Sequence, residues 1–147
     1  MLFQNKEFIR EAIEQGFNAK REAFLKIAYA PDCKGESPDG PFVGIDEVRH
    51  FWERYTTAFP DGRVEIQHVI AEQDWVALSY RFVGTNTGML RGIPPTRTVL
   101  NMKGFVFSRI RDRRIIEQYF MWDNLDARRQ LRHWQTVLDT EEGCFRE

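Results

Sequence analysis

The stretch IDEVRHFWERYTTAFPDGRVEIQHVIAEQDWVALSYRF, residues 45–82, changes its hydrophobic period midway, and that change decides the fold class. In its first part Val48, Phe51, Trp52, Tyr55 and Phe59 recur at spacings of three and four, the stripe of an amphipathic helix over about 45–59. Asp46 and Glu47 fall in the first turn, where the helix dipole favours negative charge. Phe59-Pro60-Asp61-Gly62 ends the helix sharply. From Arg63 the period is two. Val64, Ile66, His68 and Ile70 alternate with Glu65 and Gln67, Glu72-Gln73-Asp74 turns, and Val76, Leu78, Tyr80 and Phe82 mark a second strand.

Toward the C-terminus, a Gly/Thr/Pro-rich loop from Gly84 to Arg97 leads to a third strand near 98–110. Arg111-Asp112-Arg113 turns the chain into a fourth near 114–123, and Leu125, Leu131, Trp134 and Leu138 mark a last helix over 124–139. Toward the N-terminus, Phe8, Ile9, Ala12, Ile13 and Phe17 predict a helix near 5–16. Phe24, Leu25, Ile27 and Ala28 predict another near 19–29, stopped by Ala30-Pro31-Asp32. Residues 31–44, with three Pro and three Gly, read as loop with a short strand at most. Helices followed by antiparallel strands imply α+β, one domain over 1–147, with a curved antiparallel sheet packed around the N-terminal helices and a C-terminal helix. A sheet curled around helices that cannot fill it leaves a concave apolar cavity suited to a small molecule.

Composition narrows the classes. Apolar residues are 42% and aromatic ones 14% of the 147 residues, enough for a large core and against general disorder. The balance of 21 basic and 22 acidic side chains speaks against a nucleic-acid partner. No apolar run approaches the ~20 residues of a spanning helix, and the opening residues carry no signal-peptide core, so no membrane partner and a cytoplasmic location are expected. Cys33 and Cys144 do not form a disulfide framework, and His50, His68 and His133 stand singly, so no metal site is expected.

Several short motifs follow one another from Gly44 to Leu131: Ala58-Phe59-Pro60-Asp61, Ala71-Glu72-Gln73-Asp74-Trp75-Val76-Ala77, Gly84-Thr85-Asn86-Thr87-Gly88, Gly92-Ile93-Pro94-Pro95-Thr96, and Trp122-Asp123 before Gln130-Leu131. In that order and spacing they resemble the SnoaL-like polyketide cyclases, whose cone-shaped α+β barrel is shared with ketosteroid isomerase, scytalone dehydratase and nuclear transport factor 2. The resemblance implies ring closure by an intramolecular aldol reaction with no metal or organic cofactor. It places the acid/base aspartate at Asp123 and implies a homodimer built through the strands at 98–110 and 114–123. A related branch is implicated in cofactor-free hydroxylation of polycyclic substrates, and the same fold also serves as a non-catalytic binding or interaction module. The chain departs from the family pattern at Asn86 and Glu36, where histidines are common, and at Gln73 and Arg97, where glycines are common. The last two read as turn variation.

Each candidate has a plain reading beside its functional one. Asp123 closes an apolar strand; alternation puts it on one face with Glu117, Tyr119 and Met121, opposite Ile116, Gln118, Phe120 and Trp122. A carboxylate desolvated among aromatics has a raised pKa and is a stronger base, so Asp123 is expected to face the cavity; as a favoured N-cap it can equally start the last helix. Asn86 is either a turn residue or an amide donor to a substrate oxygen. Glu36 is a solvated loop carboxylate or a second acid/base group at the pocket mouth. Trp52, Tyr55, Tyr80, Tyr119 and Met121 are core or lining for an apolar, polycyclic ligand, with Tyr80 a further donor to an enolate oxygen. The loop from Asn86 to Arg97 exceeds a hairpin connection, so Met89, Leu90 and Ile93 form a lid that touches ligand or else plug the domain end. The arginines around 109–114 and 128–132, interspersed with acids, read as a solvated surface or a charged protein interface.

Overall fold

A computed structural model describes residues 1–131. The first helix, α1 (Leu2–Glu11), continues as a π-helical segment (Ala12–Asn18), and after a 3₁₀ turn (Glu22–Phe24) comes the short α2 (Leu25–Ala28). The chain then forms β1 (Tyr29–Ser37), β2 (Gly40–Val43), α3 (Ile45–Ala58), β3 (Arg63–Glu72), β4 (Trp75–Thr85), β5 (Val99–Arg111), β6 (Arg114–Trp122) and α4 (Asn124–Gln130). The strands make one sheet in the order β2-β1-β6-β5-β4-β3. All pairings are antiparallel except β1 with β6.

The α+β architecture and the central elements follow the hydrophobic periods. The sheet, however, is mixed rather than wholly antiparallel, and residues 31–44 are not loop. They form most of the hairpin β1–β2, turning at Pro38-Asp39. Pro31 is tolerated in β1 because β2 pairs only from Lys34 onward and the β1–β6 register shifts between Tyr29 and Lys34. Its missing N–H therefore falls where neither ladder needs a donor. The second predicted helix is likewise shorter, since Tyr29 already belongs to β1. Helix α4 is described to Gln130; the predicted continuation through Trp134 and Leu138 lies outside the described residues.

Strand parity sets the inner surface. Along β4 Val76, Leu78, Tyr80 and Phe82 are buried, and along β5 Leu100, Met102, Val106, Ser108 and Ile110. Opposite them α1 buries Ile9, while α3 sets Val48, Phe51, Trp52 and Tyr55 against the sheet. The other parity of β5 and β6 leaves Phe105, Phe107 and Met121 exposed on the outer face. No helix among the described residues is long and apolar enough to cross a membrane.

Candidate functional site

Three cross-strand rows run beneath the cavity between sheet and helices, the third reaching it only at Gln118. Tyr80 lies opposite Gly104 and Gly104 opposite Trp122; next come Leu78, Val106 and Phe120; then Val76, Ser108 and Gln118. Glycine at 104 is required by close approach, because a Cβ there would stand 2.5 Å from both Cζ and the hydroxyl oxygen of Tyr80. The space a side chain would fill is where the Tyr80 ring crosses the sheet. From the helical side, Ile9, Ile13, Phe17, Phe51, Trp52 and Tyr55 complete the wall. The cavity measures about 100 Å³, room for several water-sized centres. Several of its aromatic rings meet edge to face: Trp52 lies 5.3 Å from Phe17 and 6.3 Å from Tyr29, and Tyr55 lies 5.8 Å from Trp122, while Phe51 stacks on Trp122.

The polar groups on this wall are few and neutral. The Tyr29 hydroxyl donates to Gln118 Oε1, and Gln118 Nε2 donates to Ser108 Oγ at 2.8 Å, so this buried chain is satisfied internally. Tyr80 is buried, and its hydroxyl, not fully enclosed, has no hydrogen-bond partner among the described residues. Burial pushes the phenols of Tyr29, Tyr55 and Tyr80 above the ordinary tyrosine range. All three therefore stay protonated near neutrality, and Tyr80 is the one with its donor free for a ligand.

Beside this cavity lies a second of similar size, sharing Tyr55, Met102 and Trp122 as a common wall. Its polar side is built by the β1–β2 turn. The Asp39 carboxylate, 5% exposed, accepts from the Tyr55 hydroxyl and from Arg54 Nη1 on Oδ2, the latter at 3.0 Å. On Oδ1 it accepts from Arg91 Nη2 at 3.0 Å. Arg91 comes from a two-residue turn in which Leu90 and Ile93 exchange backbone hydrogen bonds, with Arg91 and Gly92 both at positive φ. Leu90 and Ile93 line this second cavity with Phe59 and Leu100.

Of the residues expected from sequence, Trp52, Tyr55 and Tyr80 meet in the main cavity, and Leu90 and Ile93 reach the second. The others lie elsewhere. Met89 is exposed and lines neither cavity. Tyr119 and Met121 are on the outer face of the sheet, where Tyr119 stacks on Trp75 and its hydroxyl donates to Glu117. Glu36 is exposed in β1, in register with Tyr119.

Asp123 shares that parity. Its side chain is exposed, and it caps α4 by accepting from the Asp126 N–H at 2.9 Å. The expectation that it faces the cavity is corrected: the cavity took the opposite face of β6, that of Gln118, Phe120 and Trp122.

Asn86 is fully buried and lines neither cavity. Its Nδ2 donates to Ala58 O and Gly88 O, and its Oδ1 accepts from the N–H and hydroxyl of Thr96. With both ends of the amide engaged, it pins the two ends of the long loop together and has no donor left for a substrate. Asp61 braces the same place by accepting from the Thr85 N–H at 2.7 Å and the Thr85 hydroxyl at 2.8 Å. The two sequence motifs around Pro60 and Asn86 thus hold each other.

Sequence reasoning missed Asp39, Gln118, Tyr29 and the two arginines on Asp39. Two signals were readable. Ser37-Pro38-Asp39-Gly40 is a turn signature between short strands, and a lone Gln among Ile116, Phe120 and Trp122 demands a buried partner.

A family model described as SnoaL-like polyketide cyclase matches residues 7–131. No curated protein matches the chain. Among solved structures, IdmH from Streptomyces antibioticus, a candidate polyketide cyclase, is 27% identical over 87% of this chain and 98% of its own, with a TM-score of 0.76. A candidate SnoaL-like polyketide cyclase from Jannaschia sp. CCS1 is 20% identical over 88% of this chain and 92% of its own, with a TM-score of 0.82. AclR from Streptomyces galilaeus, a candidate hydroxylase, is 23% identical over 84% of this chain and 81% of its own, with a TM-score of 0.74. The last two likenesses establish the fold.

Proposed function

The chain belongs to the SnoaL-like polyketide cyclase family, and from that premise we propose that it binds a small, apolar carbonyl compound of the polyketide kind in the main cavity and activates it for acid–base chemistry. One observation carries the reading. The Tyr80 hydroxyl, a protonated donor with no partner among the described residues, stands in a wall of rings and aliphatic groups whose other polar side chains, Tyr29, Gln118 and Tyr55, already have partners. A ligand carbonyl brought against it accepts that hydrogen bond, and the bond strengthens as enolate charge develops on the oxygen. The surrounding rings exclude water and favour a flat ligand. The reaction proposed is intramolecular aldol closure: a proton leaves the carbon beside one carbonyl, and that carbon bonds to a second carbonyl carbon whose oxygen takes up a proton.

Asp123 is proposed as the base. It directly follows Trp122, whose ring lines both cavities, and to act it must release the Asp126 N–H and turn inward. A second reading, binding without turnover, is favoured by a specific observation: among the described residues, no carboxylate or imidazole lines the main cavity.

Asp123→Asn separates the two. Asn caps a helix about as well as Asp, so the fold is kept while the proton acceptor is lost. If Asp123 is the base, cyclisation of a polyketide-type β-dicarbonyl falls by ~10²-fold or more while ligand affinity and melting temperature hold. Undiminished turnover in D123N overturns its role as base. A wild-type protein that binds but does not turn over leaves the second reading in place.

A further inference from the structure

The second cavity carries charge that an apolar ligand alone would leave unused. Among the described residues its charged lining is Asp39, Arg91 and Arg128. Asp39 is already matched twice, by Arg54 at 3.0 Å on one oxygen and by Arg91 at 3.0 Å on the other. Among the described residues, three guanidinium groups, Arg91 and Arg128 in the lining and Arg54 on Asp39, stand against one carboxylate, an excess of two positive charges, around a cavity whose remaining walls include Phe59, Leu90, Ile93 and Leu100. Low-dielectric walls strengthen the field of such charges.

Arg91 is also set in place at a conformational cost. It stands at φ 52°, before Gly92 at φ 77°, in a turn that ordinarily takes Asn, Asp or Gly at that position. The left-handed region is unfavourable for a non-glycine residue, and the guanidinium so placed reaches both the carboxylate and, at 3.3 Å, the backbone carbonyl of Asp39. These contacts use one terminal nitrogen of a group with five N–H donors. Arg128 brings a second guanidinium from α4, and Asp39 is the only carboxylate of the lining among the described residues.

We propose that the second cavity is an anion subsite for the same ligand, so that the substrate class is an apolar carbonyl compound bearing a carboxylate. The ring body occupies the main cavity and the carboxylate lies against Arg91 and Arg128. The wall to be crossed is Tyr55, Met102 and Trp122, and Met102, unbranched and adaptable, is the side chain that yields. A planar carboxylate matches the fork of a guanidinium, and an ester of the same acid offers no charge to it. The subsite rests on the small-molecule reading above, since it addresses a substituent of that ligand.

The test is a tryptophan-fluorescence titration of the full chain with anthraquinone-2-carboxylate and with its methyl ester, Trp122 being in the wall of both cavities. The wild type is expected to bind the carboxylate about tenfold more tightly than the ester, the size of one charge-assisted hydrogen bond. Arg128→Gln removes most of that preference while the ester affinity stays put. Arg91→Gln removes the rest, and because it also releases Asp39, the R128Q result decides if R91Q weakens the ester as well. Equal affinity for the two probes in the wild type, or a preference that survives R128Q with R91Q, overturns the subsite. Ester binding that responds to Tyr80→Phe without any gain for the carboxylate overturns the subsite alone. Binding of neither probe overturns the small-molecule reading and the subsite with it.

Discussion

Tyr80→Phe removes one oxygen from the cavity wall and leaves the ring that crosses Gly104 in place. In the free protein Tyr80 is buried, and its oxygen, not fully enclosed, has no partner among the described residues. A buried hydroxyl without a bond costs ~1–3 kcal/mol, and one that borders a cavity sits at the low end of that range. The variant is therefore expected to be more stable than the wild type by about 1 kcal/mol, or ~3 °C in melting temperature for a domain of this length. With ligand bound the sign reverses. Losing one neutral hydrogen bond weakens an apolar ketone by ~3–10-fold, and losing it from an enolate costs ~10²-fold in turnover. Calorimetric melting of the free protein, paired with a fluorescence titration, reads both halves. A melting temperature several degrees lower in Y80F, or an unchanged affinity, would refute the reasoning, because the hydroxyl would then serve the fold and not the ligand.

Three further outcomes are expected. The Thr85 N–H and hydroxyl hold the Asp61 carboxyl below the usual carboxylate range, so its contribution to stability is complete above the unfolded value near ~4 and disappears as pH falls through the lower folded value. Denaturant melts between about pH 5 and 3 should show the wild type losing more stability than Asp61→Asn, and parallel losses would count against this latch. Gln73 and Arg97 both stand in the left-handed region, at φ 54° and 61°, so Arg97→Gly is expected to raise the melting temperature by a degree or more and not to lower it. Phe105, Phe107 and Met121 form an exposed apolar strip on the outer face of β5 and β6, and a homodimer through that face is expected. Light scattering should find twice the chain mass, with Phe107→Glu shifting it to the monomer; a wild-type monomer at micromolar concentration counts against it.

How much of this was readable in advance depends on the kind of information each residue carries. The change of period at Arg63 placed α3 and the hairpin β3–β4 closely, because an amphipathic helix and a half-buried strand each need a repeating apolar face, and a repeat is a local property. The turn positions Gln73 and Arg97 were also legible as substituted glycines, and both adopt left-handed backbone. The hairpin β1–β2 was not, since Pro and Gly lower strand propensity locally. There the parallel contact with β6 and the register shift around Pro31 supply what propensity withholds.

The site itself was decided by tertiary structure. Alternation grouped Asp123 with Glu117, Tyr119 and Met121, and Gln118 with Phe120 and Trp122, as the strand does, but it put Ile116 in the second group. The β5–β6 register shifts between Arg109 and Ile110, and Ile115 lines the cavity instead. Parity says which side chains travel together but not which face of the sheet the helices cover, and that choice alone put Gln118 in the cavity wall and Asp123 outside it. Asn86 looked like a donor because an amide in a loop is one until its neighbours are known; in the fold Ala58, Gly88 and Thr96 use it completely. Asp39, Tyr55 and Arg91 belong to a strand turn, a helix and a distant loop, and no spacing in the chain announces that they meet. Local pattern determined the elements and their faces by itself, whereas the meeting of charges drawn from separate elements exists only once the sheet has curled around α3.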